Sequence, residues 1–412
     1  MDQKTLIKAK WLVPVSLPPI KDGYLLLKNG KVSSLGRMSD LEKKDFEKVL
    51  DFSSHIVMPG LINSHAHLGL SRLRGRIQEK SFTQWIRLLM SEILNWNDDD
   101  YRSSSEQGIE ELVRSGITTV GDISRNGLSF DGLKKRGLRG IVFLEVLGLK
   151  QYIESERMKT AKEFLASAEP DQKIHFGLSP HAPYSVSREL FVESCQYAWK
   201  HGLPVSIHCA ETEEEIEFIQ RGTGRIREML EEFGLMDENW EPPGISPAAY
   251  LAQTGVLKES ICIHMNILEE KDIELLKKQG VKVVCCPGTN AWFSREKVCP
   301  IDTLLEKDIH VSLGTDSLAS NDCLNMFFEM KLVRKYFPSI SLKDIVAMAT
   351  IGGAKTLGME EKIGSFDRGK EADIVSIRLE REIDNPYDFI VNSAERVDFM
   401  MIAGKEIPFE KE

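Results

Sequence analysis

Eight short apolar runs, separated by charged stretches of helical periodicity, restrict the fold of this 412-residue chain more than any other feature. They lie at 56–64 (IVMPGLINS), 116–124 (GITTVGDIS), 140–148 (GIVFLEVLG), 173–180 (KIHFGLSP), 203–210 (LPVSIHCA), 260–266 (SICIHMN), 281–287 (VKVVCCP) and 310–316 (HVSLGTD). Between them, segments such as YRSSSEQGIEELVRSG and EEKDIELLKKQG suit amphipathic crossover helices, and a strand that returns through a helix must run parallel to the one before it. Eight such units predict an α/β fold, a closed (β/α)8 TIM-type barrel over residues 58–357, with an open doubly wound sheet as the alternative. Residues 1–57 and 358–412 have another texture. Short runs such as GYLLLKNGKVSSLG and GKEADIVSIRL, broken by Gly, Lys and Asp, predict hairpins, and with them a small β domain formed from both chain termini.

Composition narrows the partners. A hydrophobic content of 42% is ample for one large core and a smaller one, and a net charge of -10 without a concentrated basic stretch argues against nucleic acid. A small-molecule substrate is expected. The segment MDQKTLIKAKWLVPVSL has no apolar signal core, and no uninterrupted apolar run would span a bilayer, so neither secretion nor membrane insertion is expected. Seven cysteines without a CxxC spacing read as small buried hydrophobes of a reducing, cytoplasmic protein. A homodimer is the default oligomer.

Barrel chemistry occurs where strands end. His65 and His67 end the first run two residues apart, which on a strand points both imidazoles to one side. His208 ends the fifth run, His264 the sixth and Asp316 the eighth. An isolated His-x-His pair is a weak signal, but three further strand ends offering His, His and Asp make a convergent ligand set. Imidazoles with a carboxylate suit Zn(II), Fe(II) or Mn(II), and the absence of cysteine among them argues for an open catalytic site over a closed structural one. His55, His175, His201 and His310 fall before or early in strands or at a helix end, and are expected to be structural or surface residues.

The segments PGLINSHAHLGLSRLRG, SIHCAET, ICIHMN and LGTDSLASNDCLNMFFEM together resemble the amidohydrolase superfamily, in its deaminase and chlorohydrolase-like branch. The terminal GSFDRGKEADIV extends the resemblance over nearly the whole chain. It implies one metal ion held by His65, His67, His208 and Asp316, with His264 hydrogen-bonding the attacking water or the attacked group and Glu211 shuttling protons. The end of the fourth strand reads SPHAPYSVS, without the lysine of binuclear relatives, which implies a mononuclear centre. Hydrolytic deamination of an aromatic ring needs an activated water, protonation of a ring nitrogen and protonation of the leaving amine; Asp316 and Glu211 are catalytic candidates for these steps on chemical grounds also.

For the substrate, the resemblance implies contacts from His181, from Glu211, from Trp85 in the pocket-covering segment SFTQWIRLLM, and from Asn290 beside Trp292. Thr83 and Gln84 stand where relatives acting on adenosylhomocysteine often carry a glutamate for the ribose. SPHAPYSVS, CPGTN with WFSREKVCPID, and LGTDSLASN are most similar to the branch's 6-aminodeoxyfutalosine deaminases of menaquinone biosynthesis. The carboxylate of such a substrate calls for a cation, with Arg72, Arg74, Arg125, Lys150 and Arg295 as candidates. Alternatives are deamination of S-adenosylhomocysteine or methylthioadenosine, of guanine, or triazine-type dechlorination. Outside catalysis, a metal-free structural relative would have lost these residues, and a nucleotide-binding oxidoreductase would need a GxGxxG turn that this sequence lacks.

Overall fold

The computed structural model describes residues 4–42, 45–169 and 171–408, with the backbone alone for 151–155. The N-terminal strands Lys4–Leu12 (β1), Ile20–Lys28 (β2), Lys31–Arg37 (β3) and Lys48–Pro59 (β4) are followed by Leu61–Ala66 (β5), Ile117–Ser124 (β6), Arg139–Val146 (β7) and Ile174–Pro180 (β8). Then come Ser206–Cys209 (β9), Ile261–His264 (β10), Lys282–Cys285 (β11) and His310–Leu313 (β12), and finally Ile374–Arg378 (β13), Phe399–Ile402 (β14) and Lys405–Glu406 (β15).

Strands from the two ends of the chain share one seven-stranded sheet, in the order β15-β14-β13-β4-β1-β2-β3. Only β1 and β4 pair in parallel. The β2–β3 hairpin turns on Asn29 and Gly30, at φ 52° and 73°. Two consecutive positive φ values match the right-handed twist of the flanking strands, which is why Asn-Gly serves there.

The remaining eight strands form two four-stranded parallel sheets, β5-β6-β7-β8 and β9-β10-β11-β12. Isolated parallel bridges, Leu178 with Val205 and Ala66 with Asp316, join the sheets at both seams. At the second seam the Thr315 and Asp316 amides both donate to His65 O, at 3.0 and 3.1 Å. Alternation along the strands sorts their side chains. Ile62, Ile123, Ile141, Phe143, Ile261, Ile263 and Val284, drawn from both sheets, form one buried cluster. Their neighbours Val142, Leu144, Ile207, Cys262 and Val283 belong instead to the large core shared with the helices. Emptying the Phe143 site by substitution with alanine would cost about 3–5 kcal/mol.

The helix Asp98–Arg114 shows how local sequence places such a covering layer. Asn97 Oδ1 accepts hydrogen bonds from the Asp99 and Asp100 amides, and Asp100 Oδ2 accepts one from the Asn97 amide, so the helix starts on a capping box. Among its buried residues, Tyr101, Ser105, Gly108 and Leu112 recur every three or four positions.

The first apolar run differs from the sequence expectation. Residues 56–59 belong to β4 in the seven-stranded sheet, and only from Leu61 does the chain enter the parallel set. The break is at Gly60, where a Cβ would lie 2.2 Å from Thr118 Oγ1. No helix among the described residues is long and apolar enough to cross a membrane. All seven cysteines are free, and six are buried.

Candidate metal centre and active site

The carboxyl ends of β5, β9, β10 and β12 converge on one point. His65 lies in β5 and His67 just beyond it, His208 lies in β9, His264 ends β10, and Asp316 follows β12 by three residues. Two overlapping groups hold ligand atoms within 4.8 Å of one another: His65, His208 and His264, and His65, His67 and Asp316. His67 Nε2 is 3.2 Å from His208 Nε2, and Asp316 Oδ1 lies 3.5 Å from His65 Nε2 and 3.7 Å from His67 Nε2. Ala210, His264, Met265 and Asp316 all have φ between 49° and 74°. Left-handed backbone at four residues with side chains is costly, and such strain gathers where a site dictates the geometry.

Burial sets the protonation states. It pushes the imidazoles of His65, His67, His208 and His264 down from 6.5, leaving them neutral with a lone pair available. Burial also opposes ionisation of Asp316, but the close approach of the His65 ring outweighs it and holds the carboxyl well below the usual range. The His208 Nδ1 is 3.2 Å from the His181 carbonyl, which fixes Nδ1 as the protonated nitrogen and leaves Nε2 facing the cluster. Thr289 and Ser320 hydroxyls donate to Asp316 Oδ2, each at 3.2 Å, leaving Oδ1 toward the histidines.

The cluster fits a divalent cation. Both ring nitrogens of His65, and Nδ1 of His264, are buried without a hydrogen-bond partner among the described residues. Buried polar atoms are rarely left so, and an ion of tetrahedral or slightly larger coordination would take up His65 Nε2, the nitrogen beside Asp316.

Glu211 borders this centre. It follows β9, its side chain is buried, and its Oε2 lies 3.7 Å from His264 Nε2. Its Oε1 accepts from Arg295 Nη2 at 2.5 Å, while Arg295 Nη1 donates to Asn290 Oδ1 at 3.1 Å. Glu215, one helical turn on, accepts from the Ala210 and Glu211 amides and fixes the strand-to-helix junction. A cleft of about 340 Å³ opens over Glu211 and is lined by Lys80, Phe82, Glu214, Phe293 and Arg295. A larger charged cleft, about 840 Å³ between Arg72, Glu111 and Leu318, is lined by none of the histidines.

The other anticipated residues sort by position. His181 follows β8 with its ring centroid 4.8 Å from that of His208 and Nδ1 2.6 Å from Ser185 Oγ. Trp85 is buried against Phe82 and Phe293 and donates from Nε1 to Ala319 O at 2.9 Å, on the loop after Asp316. Asn290 exchanges two hydrogen bonds with Asn266, both 3.0 Å, and so lies beneath Arg295 as its support. Of the five cations named above, Arg295 alone lines the cleft over Glu211. Arg72 bonds Asp100, Arg74 bonds Glu111, Arg125 bonds Tyr101 and Lys150 bonds Gly234 O. Gly288, in the CPGTN segment, is pressed by Asn321 Nδ2 and Glu329 Oε1, 2.3 and 2.4 Å from where a Cβ would stand. His55, His175, His201 and His310 are absent from both ligand groups, and His310 bonds Gly352 O at 2.9 Å. Sequence reasoning passed over Ser179 and Glu145, polar residues of β8 and β7; their only signal was polarity near the end of a barrel-type strand.

The amidohydrolase family model matches residues 56–407. A 5-methylthioadenosine/S-adenosylhomocysteine deaminase of Teredinibacter turnerae is 29% identical over 430 residues, covering 97% of this chain and 91% of that protein. Among solved structures, an adenosine deaminase from Xanthomonas campestris with bound zinc superposes with a TM-score of 0.87 at 24% identity, over 98% of this chain and 92% of that one. The Helicobacter pylori aminofutalosine deaminase in complex with methylthio-coformycin gives 0.85 at 23% identity, over 98% and 100%.

Proposed function

The chain belongs to the amidohydrolase family, and on that premise we propose that it hydrolytically deaminates the adenine ring of a nucleoside-like small molecule. The observation that carries this reading is the convergence of four histidines and Asp316 beside the buried carboxylate of Glu211.

In this reading the two parallel sheets close into one (β/α)8 barrel, supported by the bridges at both seams and by the interior cluster drawn from both sheets. Residues 1–57 and 358–412 make up the small β domain, with β4 carrying its sheet to Pro59.

His65, His67, His208 and Asp316 hold the cation, for which zinc fits the donor set best, ahead of Fe(II) and Mn(II). Bound there, a divalent cation acidifies water and supplies a hydroxide-like nucleophile at neutral pH. Asp316 Oδ1 takes up the proton that the water loses. His264 donates a hydrogen bond to the oxygen that attacks the ring carbon. Glu211 delivers its proton to the ring nitrogen and regains one from the hydroxyl on the attacked carbon, while the proton held on Asp316 passes to the leaving amine, so a C–O bond forms, the C–N bond breaks, and ammonia departs. Arg295 orients Glu211, and His181, beside His208, hydrogen-bonds the substrate. Trp85 and Phe82 back the cleft with apolar surface.

The named substrate we favour is 6-aminodeoxyfutalosine, which would place the enzyme in menaquinone synthesis; Lys80, Arg225, Arg295 and Lys297 line the cleft as cations for its carboxylate. The likeness to the Teredinibacter protein supports a second reading, methylthioadenosine or S-adenosylhomocysteine. Ammonia release from metal-loaded enzyme with these three compounds, adenosine and guanine tests both. Turnover of the first alone supports the first reading, turnover of the sulfur nucleosides the second, and no ammonia from any compound overturns deamination of the purine.

A further inference from the structure

Glu145 is a carboxylate that neither the fold nor the proposed mechanism uses. It lies on β7 in line with Ile141 and Phe143, two positions apart in each case. Those two residues belong to the cluster enclosed between the sheets, whereas Val142, Leu144 and Val146 belong to the helix-covered core. Period-two alternation therefore puts Glu145 on the inner face, one layer above Phe143, at the end of the strand where the metal cluster lies.

Its surroundings are those of the site wall. In the β7–β8 register Glu145 is opposite Ser179, and the next residue, Val146, accepts from the His181 amide at 3.0 Å. Ser179 is fully buried, and its Oγ has no hydrogen-bond partner among the described residues. Glu145 is half-buried, with no hydrogen bond or ion pair of its own among the described residues, and burial pushes its carboxyl above the ordinary value against the charges of Arg157 and Arg125. Two neighbouring polar groups on the inner strand face thus keep unused hydrogen-bonding capacity.

We propose that Glu145, with Ser179 beside it, is a specificity residue whose carboxylate accepts hydrogen bonds from the sugar hydroxyls of the bound nucleoside. The inference rests on the deaminase reading above. A carboxylate offers two acceptor oxygens, which match two adjacent hydroxyl donors.

The test is equilibrium binding, by calorimetry, of adenosine, 2′-deoxyadenosine and 3′-deoxyadenosine to metal-loaded enzyme carrying Glu211→Gln, so that nothing is consumed. With Glu145 present, loss of either hydroxyl is expected to weaken binding about tenfold. Adding Glu145→Ala should remove that discrimination at unchanged metal content, and Glu145→Gln, which keeps one acceptor oxygen, should retain part of it. Equal affinity for all three nucleosides with Glu145 in place, or discrimination that survives Glu145→Ala, overturns the inference and leaves deamination standing. Binding of none of them overturns the nucleoside reading and this inference with it.

Discussion

Arg295 Nη2 stands 2.5 Å from Glu211 Oε1, and the same guanidinium reaches Asn290 Oδ1 at 3.1 Å, so one side chain ties the carboxylate to a buried amide pair. The rings of Phe293 and Phe82 lie 4.6 and 5.9 Å from its Cζ, which keeps the fork from swinging into the cleft. Arg295→Lys keeps the charge but loses the planar fork. We expect Arg295→Ala to lower kcat about 10–100-fold and Arg295→Lys to recover only part of it, both with full metal content, read by steady-state kinetics alongside metal analysis. A normal kcat in Arg295→Ala would remove Arg295 from the positioning of Glu211.

Glu211→Gln preserves shape and removes the exchangeable proton. Its loss should cost about 10²–10⁴ in kcat, the range for a positioned general acid or base, without loss of bound metal. Full turnover would take Glu211 out of the mechanism.

His65 has two buried, unpartnered ring nitrogens, which makes it the ligand with the least alternative employment. His65→Ala should bind less than stoichiometric metal by elemental analysis. In the wild type, chelation should lower the melting temperature and abolish activity, and zinc should restore both, since an ion that binds only the folded chain stabilises it by mass action. Undiminished metal in His65→Ala would exclude it as a ligand.

How far the sequence reaches follows from the range of each relationship. The strand ends bearing His65, His208, His264 and Asp316 are legible because each apolar run announces its own end. The break at Gly60 is not, because Ile56–Met58 and Leu61–Asn63 are equally apolar and only the approach of Thr118 separates their sheets. Arg295 was one cation among five until the fold brought it to Glu211, 84 positions away in sequence. Glu145 is invisible for a related reason. Its inward direction depends on which face of β7 meets the opposite sheet, and a continuous apolar run such as GIVFLEV hides its own period.

Arg139 joins the seven-stranded sheet to the parallel strands. Its buried guanidinium donates to Asp373 from Nε at 3.0 Å and to Glu371 from Nη2 at 2.5 Å, while the Asp373 carbonyl accepts from the Gly60 amide at 2.9 Å. Removing one partner of a buried pair leaves the other uncompensated, at about 3–5 kcal/mol. Arg139→Ala should therefore unfold at markedly lower urea concentration, whereas Arg139→Met together with Asp373→Asn should recover much of the loss. A single variant as stable as the wild type would show that the pair does not join the two parts.

Glu329 gives the fold a pH dependence of definite sign. It is fully buried, accepting from the Gly288 amide at 2.6 Å and from Asn321 Nδ2 at 2.9 Å, and burial raises its pKa from 4.5 to about 8. The folded chain therefore keeps a proton that the unfolded chain releases. The associated stability is complete below pH 4.5, declines as the pH rises, and is gone above about pH 8. Burial acts likewise on Glu215, raised to about 8, and on Asp122, raised to about 7, so the wild type should lose stability steadily over the same window. Glu329→Gln cannot ionise and keeps an acceptor for Gly288. Its melting temperature, measured from pH 5 to 9, should fall less than that of the wild type, by a margin of about 2 °C. Parallel curves for the two proteins would mean that Glu329 is already ionised at neutral pH, held there by the two hydrogen bonds it accepts.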